Sequence, residues 1–111
     1  MTDFIVDSGN GNGLFCFFED DGETGYFYLY EPEGRGVIDH IQIYRNSEVA
    51  SVREQDVSVS WTADGKKCAV RVWDGIFGIF DVDKKKKYGS LLIDKMSKPI
   101  ENPSIIEDFG R

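Results

Sequence analysis

At 111 residues, with 20 acidic and 13 basic side chains and a net charge of −7, the chain is sized for one domain and is acidic enough to repel phosphate backbones. No apolar run approaches the roughly 20 residues a membrane-crossing helix needs. The N-terminal MTDFIVDSG lacks the basic-then-apolar order of a secretory signal. The expectation is a cytoplasmic protein with a single β-rich domain over 1–96 and an irregular tail over 97–111 that docks through Ile105, Ile106 and Phe109.

Phe4-Ile5-Val6 is a short predicted strand. The glycine-rich Asp7 to Gly13 follows it, and this GNGNG run is not a phosphate cradle. Such a loop opens a helix and a P-loop carries a lysine, whereas this one opens the strand-like Leu14 to Phe18. A tight surface turn is expected instead.

Glu19, Asp20, Asp21 and Glu23 then crowd a hairpin loop. Their spacing departs from an EF-hand, so a solvated acidic turn is predicted rather than a calcium site. Tyr26 to Tyr30 forms the next strand. Strand alternation sends Phe15 and Phe17 to one side and Leu14, Cys16 and Phe18 to the other; Phe27 and Leu29 likewise oppose Tyr26, Tyr28 and Tyr30. Neither strand has a polar face. One face is core, and the other must lie under a second layer, a terminal segment or another subunit. Burial of the tyrosine face within the chain is the plainer reading. If it is open, it is the natural contact surface, because tyrosine is common at interfaces.

Glu31 to Gly36 reads as a loop and Val37 to Tyr44 as a strand. His40 is the single histidine, and alternation sends its neighbour Asp39 to the opposite face, which excludes a triad built on that pair. A half-exposed strand histidine is expected. Asn46 to Arg53 is read either as one or two helical turns capped by Ser47, with Val49 and Val52 on one face, or as a plain strand connection.

Val57 to Asp81 reads as three strands with both turns spelled out. Val57, Val59 and Trp61 alternate with serines, and Ala63-Asp64-Gly65-Lys66 forms a four-residue loop with Gly65 left-handed. Asp74-Gly75 is predicted as the two central residues of a type I′ hairpin. Lys84 to Lys87 is expected at an exposed hairpin tip leading into a strand from Ser90 to Ile93, rather than in a nucleic-acid patch.

The 8 Phe, 5 Tyr and 2 Trp lie almost entirely in these candidate strands, where large flat side chains pack well on a pleated surface. Cys16 and Cys68 each fall within an apolar strand. Buried thiols are expected, with a disulfide left open by the spacing, and one histidine is too few to complete a zinc site with them. No metal or other cofactor is implied. The predicted fold is mainly β, an antiparallel meander forming a curved sheet, a small sandwich or a partly open barrel, with at most one or two short helices.

The strand ending in Trp61, the Asp64-Gly65 turn, the following apolar strand and Ile79-Phe80-Asp81 resemble a family of small bacterial cytosolic domains of unknown function. The same segment is similar to a single blade hairpin of a β-propeller, although the chain is too short for four blades. The first resemblance implies a bacterial source and brings no activity or site residue with it.

Charge divides the chain. Residues 1–60 carry 12 acids and 3 bases, a net −9, while residues 61–111 carry 8 acids and 10 bases, a net +2. With no catalytic set in view, the leading expectation is a protein-interaction module. In its concrete form it is an immunity-type inhibitor of a basic toxin, with Glu19, Asp20, Asp21 and Glu23 steering and Tyr26, Tyr28 and Tyr30 anchoring. Neither nucleic acid nor membrane is an expected partner. The rivals are a small-molecule barrel or enzyme in which Tyr28, Arg71 and His40 converge in a cavity, and a homodimer that buries the second aromatic face.

Overall fold

The computed structural model describes residues 3–109; Met1, Thr2, Gly110 and Arg111, which fall within the expected domain and tail ranges, lie outside the described residues. The chain forms two four-stranded antiparallel meanders, each in sequential strand order. The first contains β1 (Phe4–Gly9), β2 (Phe15–Asp20), β3 (Gly25–Glu31) and β4 (Gly36–Tyr44). The second contains β5 (Val57–Trp61), β6 (Lys67–Val72), β7 (Gly75–Asp81) and β8 (Lys86–Gly89). They pack face to face as an open sandwich, so of the three predicted architectures the sandwich is realised and the barrel is not.

Alternation builds the shared core. Cys16 and Phe18, Phe27 and Leu29, and Ile41 and Ile43 face Cys68, Val70, Val72, Phe77 and Phe80 across the sandwich, with the rings of Phe27 and Phe80 5.0 Å apart. Cys16 and Cys68 are both fully buried free thiols, and burial pushes the Cys68 thiol up. The β6–β7 register shifts between Val70 and Arg71, so Phe77 is an extra residue that turns β7 over. Ile76 and Ile79 consequently face outward with Ala69, although the strand reads as one continuous apolar run.

That second apolar surface is covered by the tail. Ile100, Ile105, Ile106 and Phe109 pack on Ala69, Ile76 and Ile79, and the Ile100 amide donates to the Ile76 carbonyl at 2.7 Å. Arg71 donates to the Phe109 carbonyl and Lys67 pairs with Asp108 at 2.8 Å. Ile105, Ile106 and Phe109 thus lie against the outer face of the second sheet. The tail is not wholly irregular, since it includes α2 (Pro103–Ile106) capped by Asn102.

Four local expectations change. The second hairpin is a two-residue turn of the expected positive-φ kind, but its central residues are Trp73 and Asp74, at φ 49° and 71°; Gly75 already pairs with Val72 in β7. The short helix α1 (Ser47–Ala50) is capped by Asn46, whose side chain accepts from the Glu48 and Val49 amides, while Val49 is exposed and Val52 is buried. The last strand begins within the lysine run, at Lys86, and ends at Gly89. Beyond it Leu92 leaves the sheet, buries its side chain in the core and donates its amide to the Ile43 carbonyl. Asp20, predicted in a solvated turn, is 2 % exposed, because the inward parity of Cys16 and Phe18 continues to it.

Candidate functional site

The outer faces of the two sheets have different fates. The chain's own tail covers the second sheet, and among the described residues no layer covers the first. Cross-strand register arranges that open face as three rows of four residues. Ile5, Glu19, Tyr26 and Gln42 form one row; Asp7, Phe17, Tyr28 and His40 the next; Gly9, Phe15, Tyr30 and Val37 the third.

The middle of this array is aromatic. Phe17 stacks on Tyr28 at 4.8 Å and meets Tyr30 edge-on at 6.0 Å, and Tyr26 stacks on Tyr28 at 5.9 Å. The exposed His40 ring lies 5.8 Å from Tyr26 and 6.4 Å from Tyr28. Around them Ile5 is 50 %, Val37 51 % and Phe15 39 % exposed. Ile5, Asp7, Phe15, Phe17, Tyr30 and Pro32 line a shallow open depression at one side of the face.

Acids border one end. Partial burial, then the negative charge of Glu19, raises the Tyr28 hydroxyl's pKa, and Asp21 adds to the effect. Glu19 and Asp21 are therefore electrostatically part of this face. Asp21 accepts the Thr24 and Glu23 amides at 2.7 and 2.9 Å, and these bonds hold its pKa below the usual carboxylate value. Glu23 is exposed at the same turn.

Asp20 belongs elsewhere. Its carboxylate accepts from the Tyr44 hydroxyl, the Ser47 hydroxyl and the Gly22 amide. With Asp20 facing the core and Asp21 bound to its own turn, the predicted acidic cluster divides into a structural residue and a surface group of three. Among the described residues no three metal-ligating side chains converge.

Tyr28 and His40 share this outer face, whereas Arg71 bonds Ser60 and the Phe109 carbonyl on the far sheet. The convergence expected for an internal cavity does not occur. Sequence reasoning named the three tyrosines as anchors and put Phe15 and Phe17 on one side of their strand, but it did not join the two sets or add Ile5 and Val37. The missing signal was hairpin register, which alone sets Phe17 opposite Tyr28.

Each edge of the first sheet carries contacts from the other half of the chain. The Trp61 indole donates to the Ser8 carbonyl of β1 at 2.9 Å, and Leu92 and Lys87 donate to the Ile43 and His40 carbonyls of β4. No helix among the described residues is long and apolar enough to cross a membrane.

Residues 2–99 match a family described as an uncharacterised protein conserved in bacteria, DUF2251. No curated protein and no solved structure matches the chain.

Proposed function

The chain belongs to the DUF2251 family of uncharacterised bacterial proteins, and from that premise we propose that it is a cytoplasmic, non-catalytic interaction module that binds the basic surface of another protein. One observation carries the reading: among the described residues the outer face of the first sheet is left open with a stacked aromatic centre and an acidic end, while the equivalent face of the second sheet is closed by the chain itself.

The division of labour follows from the chemistry. Phe17, Tyr26, Tyr28 and Tyr30 offer flat, already ordered surface, so little side-chain entropy is lost on contact. Aromatic faces also attract lysine and arginine cations. Glu19, Asp21 and Glu23 steer a cationic partner toward them and set the association rate. Asp20, being buried, takes no part. An immunity-type inhibitor that covers the basic face of a toxin is the concrete form of this proposal.

The test is capture from the native cytosol on the tagged protein at low and then high salt, followed by binding kinetics with the retained protein. The expected result is a basic partner released by salt, because exposed attractions are screened beyond about 8 to 10 Å at physiological ionic strength. Glu19→Lys/Asp21→Lys/Glu23→Lys should slow its association. An unchanged association rate, or recovery of the bait alone as a monomer, would overturn the proposal. Recovery of the bait as a dimer that Tyr28→Ala dissolves would replace it with self-association through the same face.

A further inference from the structure

A second candidate site lies at one end of the sandwich, where the β3–β4 hairpin of one sheet and the β7–β8 hairpin of the other diverge. Between them is a cavity of about 270 Å³. Leu14, Leu29, Ile38, Phe80 and Val82 supply its apolar walls, and Arg35, Lys85 and Lys86 stand at its lining with Asp39 and Asp81.

Of the two carboxylates, Asp39 is ion-paired and Asp81 is held by a backbone amide. Asp39 accepts from the Lys87 ammonium at 2.7 Å and from the His40 amide at 2.8 Å. Asp81 is buried and accepts the Lys84 amide at 3.0 Å. Arg35 pairs through Nε with Glu31, whereas Lys85 and Lys86 form no ion pair among the described residues. Among the described residues the recess is thus bordered by two exposed lysines and one buried carboxylate, Asp81, that stand outside ion pairs, a net positive balance in an otherwise acidic protein.

Lys85 sits at a turn of the β7–β8 hairpin. Its φ of 56° is left-handed, a conformation that non-glycine residues seldom adopt. The floor is fixed by the packing of Phe80 on Phe27. A small apolar pocket with a few convergent charges is the general form of a small-ligand site, and this volume lies just below the usual range of about 300–1,000 Å³, which restricts the ligand to a small one.

We infer that this cavity binds a small amphiphilic anion, a carboxylate with an unbranched apolar chain, its tail between Leu29, Ile38 and Phe80 and its head group against Lys85 and Lys86. The site is remote in kind from the aromatic face, since it lies between the sheets, and it stands or falls independently of the protein-binding proposal.

The probe is octanoate, titrated into the ¹⁵N-labelled protein beside butanoate and neutral 1-octanol. Octanoate should shift the amides of Leu29, Ile38, Phe80 and Val82. Affinity should rise about fourfold for each methylene buried between butanoate and octanoate. Lys85→Asn/Lys86→Gln, which keeps a residue tolerant of positive φ at 85, should weaken octanoate about fivefold or more and leave octanol unchanged. Ile38→Trp, which fills the recess, should abolish binding of both; the circular dichroism of each variant checks that it is folded. Absence of shifts with millimolar octanoate, equal affinity for octanoate and octanol, or shifts confined to the Phe17–Tyr28 face would each overturn the inference.

Discussion

Tyr44 on β4 donates its hydroxyl to the carboxylate of Asp20 on β2, across a strand that separates them. The intervening residue is Gly25, the register partner of both. Without a side chain it lets the Tyr44 ring lie over the backbone; a Cβ there would fall 2.5 Å from that ring and 2.8 Å from Phe18. Ser47 donates to the same carboxylate, which ties α1 to the first sheet. Tyr44→Phe should cost about 1–3 kcal/mol, because a buried carboxylate loses a donor. Gly25→Ala should cost about as much through overpacking. The double variant should cost less than the sum, since the alanine already displaces the ring. Urea unfolding of the four proteins measures all three values.

Gly75 serves the tail in a comparable way. Its φ is not left-handed; instead, a Cβ at this position would meet Pro99 at 2.9 Å. Gly75→Val should push Pro99 away and uncover Ala69, Ile76 and Ile79. The expected outcome is a loss of about 1–3 kcal/mol, faster hydrogen exchange at Ile100, whose amide bonds to Ile76, and increased binding of an apolar dye. Unchanged exchange at Ile100 would show that the tail docks independently of this contact.

Acid should loosen two of the turns. The Thr62 hydroxyl and then the Lys66 amide lower the pKa of Asp64 below 3.8, and the Thr24 and Glu23 amides do the same for Asp21. A carboxylate whose pKa is lower folded than unfolded stabilises the fold fully above its unfolded value and loses that contribution as pH falls through the folded value. Melting temperature should therefore be flat from pH 7 to about pH 5 and fall below about pH 4. Asp64→Asn and Asp21→Asn should each flatten the acid limb of the curve, and the double variant more so. An acid limb identical to that of the wild type would exclude these two turns as its source.

The sequence revealed the strands where turn chemistry and alternation agreed. Val57 to Trp61 shows a clean period of two, and Gly65 adopts the predicted left-handed conformation. Elsewhere the signal was ambiguous for identifiable reasons. Residue type favours Asp74-Gly75, since a bulky residue such as Trp73 rarely adopts positive φ, but packing of Pro99 on Gly75, a contact 24 positions away, accompanies the observed register. Ile76 to Phe80 is apolar throughout, so the bulge at Phe77 that turns Ile76 and Ile79 outward left no mark in the pattern. Asp20 looked like its exposed neighbours because its partner Tyr44 lies two strands away. The open aromatic face was half legible: the parity of Tyr26, Tyr28 and Tyr30 was visible, but which sheet the tail would cover was not.

The Phe17–Tyr28 stack separates the stability of the proposed interface from its binding energy. Both rings are half-buried on the outer face, so Phe17→Ala and Tyr28→Ala should each cost the fold only about 0.5–1.5 kcal/mol, the value of an aromatic pair, rather than the larger cost of a core cavity. If these rings anchor a basic partner, each should cost at least about 2 kcal/mol in binding, roughly 30-fold, expressed mainly in dissociation. Charge reversal at Glu19, Asp21 and Glu23 should act chiefly on association and weaken with added salt. Binding and urea unfolding measured on the same variants give both quantities. Equal losses in folding and binding would assign the aromatic face to structure, and a binding loss well above the folding loss would assign it to recognition.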